Sequence, residues 1–107
     1  MITVNTQYST YKDCYLDIKQ YQYDGSVCVQ IMNQTDGAIA RITTCIPDCS
    51  SSLDNDESFI DLNNCPWALD FIKKYNLGTV TDKYGYSGFC KYPVVKWDIN
   101  ELNSHKL

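Results

Sequence analysis

The sequence predicts an α+β fold, an antiparallel β-meander of about four to five strands packed against one main α-helix. Three observations carry the prediction. Apolar residues alternate with polar ones through much of the first half, a single amphipathic stripe follows residue 63, and a second strand-like stretch closes the chain. The 107 residues suffice for one domain with one core, so 1–107 is read as a single domain. Within it, residues 1–47 are strand-rich, 48–58 form an acidic loop, about 65–77 form the helix, and about 86–97 form a C-terminal strand.

Between Tyr15 and Tyr21, Leu16 and Ile18 alternate with Asp17 and Lys19, the period of a strand with one covered face. Tyr23-Asp24-Gly25 supplies a turn, and Val27, Val29 and Ile31 resume the alternation on the next strand. Asn33 to Gly37 is a second turn, followed by a third strand from Ala38 to Ile46 that Pro47 ends. Residues 2–8 are expected as an edge strand before this meander. For the helix, Asn63 or Asn64 is the expected cap, Pro66 fits the first turn, and Gly78 fits the position past its end. Ala68, Leu69, Phe71, Ile72 and Tyr75 make its apolar stripe. Burying four or five such side chains contributes on the order of 10 kcal/mol before entropy is subtracted, which places the helix on the sheet. Pro93 predicts an edge strand or a bulge for the last strand, and the tail, 98–107, is expected as a short helical turn that frays.

Composition narrows the chemistry. Thirteen acidic against nine basic residues leave a net charge of -4 with no basic stripe, which disfavours direct nucleic-acid binding. No apolar run is long enough to span a membrane and the N-terminus lacks a signal-peptide pattern, so a cytoplasmic setting is expected. There the six cysteines are expected as free, partly buried thiols.

Catalytic patterns are sparse. The one histidine, His105, lies near the C-terminus, away in sequence from any nucleophile. Ser87 sits in Tyr86-Ser87-Gly88-Phe89, which misses the G-x-S-x-G nucleophile turn, and the five glycines form no phosphate loop. Cys45, Cys49 and Cys65 lack the second short-spaced pair that a structural zinc site needs. Asp54, Asp56, Glu57 and Asp61 form the densest acidic run, yet the EF-hand order fails after them. No catalytic residue, metal or cofactor is therefore expected. The acidic run reads as a solvated loop or as a surface for a protein partner. Tyr84 and Tyr86 are candidate exposed contacts, while Phe89 and Trp97 read as core.

Two segments resemble a known family. Ser58-Phe59-Ile60-Asp61-Leu62-Asn63-Asn64 resembles an F-I-D-x-N-N segment, and Ser87-Gly88-Phe89-Cys90-Lys91-Tyr92-Pro93-Val94 resembles an S-G-F-x-x-Y-P-V signature. Both are features of small domains of unknown function found in Firmicutes and carried by their plasmids, phages and integrated elements. The resemblance implies a non-enzymatic anti-defence protein of a mobile element, for instance an anti-CRISPR protein that binds a Cas9-type nuclease or its guide-RNA complex. On that reading Asp54, Asp56, Glu57 and Asp61 would face basic side chains, with Tyr84 and Tyr86 as anchors. The alternative is an accessory or assembly protein of a plasmid, phage or conjugative element, without an inhibitory role.

Overall fold

In a computed structural model that describes residues 2–107, the strand-forming segments sort into two four-stranded antiparallel sheets rather than one meander. The first runs in chain order through β1 (Ile2–Asn5), β2 (Thr10–Gln20), β3 (Val27–Asn33) and β4 (Gly37–Arg41). The second comprises β5 (Thr43–Thr44), β6 (Glu57–Ile60), β7 (Gly78–Ser87) and β8 (Cys90–Trp97), in the spatial order β5-β6-β8-β7. Two short helices, α1 (Ala68–Lys74) and α2 (Ile99–Ser104), and a 3-10 turn at Pro47–Ser52 complete the chain. The class is α+β only in this coarse, strand-dominated sense. Among the described residues no helix is long and apolar enough to cross a membrane.

The expected third strand divides because Ile42 bonds in two directions. Its N–H donates to the Val29 carbonyl of the first sheet (3.1 Å), while its carbonyl accepts from Asp61 N–H beside the second (2.9 Å). The next residue adds a bond back, since the buried Thr43 hydroxyl accepts from Val29 N–H (3.1 Å). A third link passes through Ser58, whose buried hydroxyl donates to the Val27 carbonyl and accepts from the Trp97 indole N–H (3.0 Å). Around these polar links a continuous apolar core draws Val4, Leu16, Val29, Ile31, Ile60, Val95 and Trp97 from both sheets.

The strand periodicities hold locally. Val27, Val29 and Ile31 are buried, with half-buried Cys28, Gln30 and Met32 between them, and Leu16 is buried on β2. The helix is shorter than expected, and neither asparagine caps it. Trp67 stands at the cap position without a side-chain bond, while Asn64 binds the Asp61 carboxylate and Asn63 reaches the Tyr92 hydroxyl (3.1 Å). At the other end, Asn76 rather than Gly78 takes the left-handed conformation (φ 55°). The apolar stripe is nonetheless the buried one, through Ala68, Phe71 and Ile72. Tyr75 extends it to the edge of β1, where its hydroxyl accepts from Thr3 N–H (2.8 Å) and donates to Thr3 C=O (3.1 Å).

Pro93 lies on β8, an interior strand and not an edge. It is tolerated because the β6–β8 ladder ends at the Phe59–Val94 rung, just before the missing donor would be needed. The strand of Pro93 carries no extra residue in this pairing; the irregularity lies on its neighbour β7, between Val80 and Tyr84.

The tail does not fray into solvent. The Asp98 side chain caps α2 by accepting from Glu101 N–H (3.1 Å), Leu102 is fully buried, and the His105 carbonyl accepts from Leu16 N–H (2.9 Å). Replacing Leu102 with Ala should therefore cost about 3 kcal/mol of unfolding free energy, read by urea denaturation. A detached tail would leave stability unchanged.

Candidate functional site

The acidic run folds into a tight turn that opens β6. Asp54 N–H donates to the Glu57 carboxylate (2.7 Å), and Glu57 N–H donates back to Asp54 C=O (3.2 Å). Glu57 is thereby turned inward, its side chain 3% exposed, where Lys83 Nζ meets it at 2.8 Å. Lys83 also lies 3.8 Å from Asp54, and Lys96 pairs with Asp56 at 2.9 Å. The cluster is thus substantially neutralised by two lysines that come from β7 and β8. Asp61 is not part of it. Asp61 lies past the opposite end of β6, accepting from the Asn64 side chain (2.8 Å).

Burial alone would push the Glu57 carboxyl up. The hydrogen bond from Lys83, the Asp54 N–H and the charges of Lys83 and Lys96 outweigh burial and hold it below the ordinary glutamate value. Asp24 is balanced in the same way: burial raises it, and hydrogen bonds from Ser26, Ser50 and Cys45 bring it below the usual range. The Ser50 hydroxyl donates to Asp24 Oδ2 at 2.6 Å, tying the 3-10 turn to the β2–β3 connection.

Tyr84 and Tyr86 occupy one face of the β7–β8 hairpin, at rungs shared with Pro93 and Lys91. Both rings are solvent-exposed, and Lys91 Nζ stands 3.9 Å from the Tyr84 ring centroid. Between them Gly85 faces the opposite way, onto Phe59. A Cβ there would meet the Phe59 ring at 2.5 Å, so glycine is what lets the hairpin lie against the small cluster of Ile46, Phe59 and Val94. The strands turn through Gly88 (φ 59°) and Phe89, the arrangement of a two-residue turn with glycine first. This turn puts Phe89 at the tip, fully exposed, and not in the core that its hydrophobicity predicts. The spacing was the available signal, since a two-residue turn between Ser87 and Cys90 leaves Phe89 no inward direction. Trp97, by contrast, is buried as expected.

The remaining reactive groups are dispersed. His105 pairs with Glu101 (3.2 Å) and stacks edge-on to Tyr75. Among the described residues no basic side chain hydrogen-bonds Ser87 in the hairpin. All six cysteines are free thiols, and among the described residues no three His, Cys, Asp or Glu side chains are grouped to hold a metal ion. Burial raises the pKa of Cys14, Cys45 and Cys65, the last to about 11 with the Asp61 charge adding to the effect. These three thiols stay protonated at neutral pH and are weak nucleophiles.

A family model for a domain of unknown function, DUF4313, matches residues 15–106. The chain belongs to the DUF4313 family. No curated protein and no solved structure matches it. The DUF4313 match runs from the middle of β2 past the end of α2, including the paired acidic turn and the aromatic hairpin.

Because the folded-state pKa of Glu57 is depressed, its contribution to stability is complete above the ordinary glutamate value and is lost as pH falls through the folded one. Lys83→Met removes the principal cation, so the acid limb of a pH-dependent urea unfolding series should move to higher pH. An unmoved acid limb would show that Lys83 does not hold Glu57 ionised.

Proposed function

We propose that the chain acts without catalysis, as an anti-defence protein that seats a protein partner on the exposed face and tip of the β7–β8 hairpin. The observation that carries this reading is the grouping of Tyr84, Tyr86 and fully exposed Phe89 on one hairpin, with Lys91 beside them. Large aromatic side chains held outward by a backbone packed at Gly85 are the type of anchor that dominates binding energy at protein interfaces. The aromatic surface takes precedence over the acidic run, because Glu57 is buried and Asp54 and Asp56 already have lysine partners. Asp54 and Asp56 then act at the rim, where charge tunes association more than affinity.

The partner class we propose is a bacterial immune effector, such as a CRISPR-Cas nuclease of the Cas9 type. Its support is the resemblance of the Phe59-to-Asn64 and Ser87-to-Val94 segments to proteins of mobile elements. The test combines the purified chain with a Cas9-type nuclease loaded with guide RNA, and reads binding and target cleavage. Inhibition by the unaltered chain is expected, weakened at least about tenfold by Y84A/Y86A/F89A and less by D54K/D56K. Inhibition that survives the triple substitution would move the contact off the hairpin. Absence of binding to such nucleases would favour the assembly role in a plasmid, phage or conjugative element.

A further inference from the structure

The outer edge of β4 has main-chain groups to offer. Beside Ile42 the chain of β6 continues as far as Asp61, then turns away through residues 61–65, where Cys65 N–H donates to Asp61 C=O (2.9 Å). Upstream of that point β4 runs on with no strand paired to its outer side among the described residues. The Ile42–Val29 rung is hydrogen-bonded, so the alternation of an antiparallel ladder aims the N–H and C=O of Arg41 away from β3. Ile39 has no partner in the β3 register, which shifts there. Among the described residues no backbone group pairs with this outer edge, and a weak contact from Cys65 Sγ (3.6 Å) is what reaches the Arg41 carbonyl.

Two hollows flank the same strand and share Ile39, Ala40 and Asn64. The larger, about 340 Å³, lies between Arg41 and the 61–65 turn; the smaller, about 100 Å³, opens toward Tyr8, Tyr11 and Trp67. Edge strands are ordinarily protected by lysine, proline or inward charge. The segment Gly37-Ala38-Ile39-Ala40-Arg41 has no lysine or proline, its protection being limited to the register shift at Ile39 and the Arg41 charge, and its small residues permit close approach. Arg41 is the sole arginine of the chain. Its guanidinium lies 5.9 Å from the Tyr21 ring centroid and has no carboxylate at ion-pair distance among the described residues. Asp61, which lines the same hollow, is engaged by Asn64 and repels a second carboxylate, so an incoming acid has one favourable place.

We infer that β4 is a docking edge for an extended peptide segment of a protein partner, whose main chain pairs with Ile39 and Arg41 and whose carboxylate side chain is taken by the Arg41 guanidinium. Strand addition of this kind draws affinity from main-chain bonds and specificity from alternate side chains in flanking hollows. The surface is separate from the β7–β8 hairpin, and the inference does not rest on the hairpin's role.

A phage-displayed library of random peptides about twelve residues long, selected on the immobilised full chain, supplies the probe. Selected peptides should carry an acidic residue, lose at least about tenfold in affinity against R41E, and bind Y84A/Y86A/F89A unchanged. On binding, the amide protons of Ile39 and Arg41 should become protected from hydrogen exchange. Ile39→Pro removes the main-chain donor at the register shift and should also weaken binding; if that variant unfolds, R41E and the exchange data decide. Failure to select any peptide, binding indifferent to R41E, or binding that leaves both amides unprotected would overturn the inference. Loss of binding to the hairpin variant would do so as well, and would leave the hairpin reading standing.

Discussion

Everything else in the fold depends on how the two sheets are joined at Ile42, Thr43 and Ser58. A chain that leaves one sheet for another must satisfy the main-chain groups it exposes at the crossing, or bear the cost of burying them unpaired. Here Ile42 donates to Val29 and accepts from Asp61, the Thr43 hydroxyl serves Val29 N–H, and the Ser58 hydroxyl joins the Val27 carbonyl to the Trp97 indole. Each bond is modest in net terms, but a buried group left without its partner costs about 1–3 kcal/mol. The crossing is therefore a constraint on sequence. Aliphatic residues at 43 and 58 would fill the space and strand the polar groups they face.

The same crossing explains where the exposed surfaces fall. Because β5 is only two residues long and β6 is central, β8 and β7 extend beyond the main core and rest on the small cluster of Ile46, Phe59 and Val94. Gly85 permits that close contact on one face, which leaves Tyr84, Tyr86 and Lys91 exposed on the other. Likewise the departure of the chain at Asp61 leaves β4 open. Two surfaces suited to protein contacts thus arise from one topological choice.

Local patterns were legible and long-range partners were not. The alternation of Val27, Val29 and Ile31, the Asn33-to-Gly37 turn and the stripe of Ala68, Phe71 and Ile72 follow from periodicity that a sequence displays directly. The break at Ile42 does not, because Ala38 to Ile46 is uniformly suited to a strand and nothing local distinguishes one sheet from two. Asn63 and Asn64 had the composition of helix caps, but Asp61 and Tyr92 compete for them. Tyr84 and Tyr86 were identified as exposed, while Phe89 was misplaced because hydrophobicity outweighed its position in a two-residue turn. The acidic run was visible as charge, whereas its neutralisation was not: Lys83 and Lys96 are far along the chain and arrive only through β7 and β8.

The aromatic side chains divide between a buried set within the cores, with Phe59 and Trp97, and an outward set on the β7–β8 hairpin. Solution NMR with a soluble paramagnetic agent tests that division directly. Strong relaxation of the Phe89, Tyr86 and Tyr84 ring protons, with Phe59 and Trp97 unaffected, is the expected result. A Phe89 ring as shielded as that of Phe59 would contradict it, since the hairpin would then lack the surface on which a partner is proposed to sit.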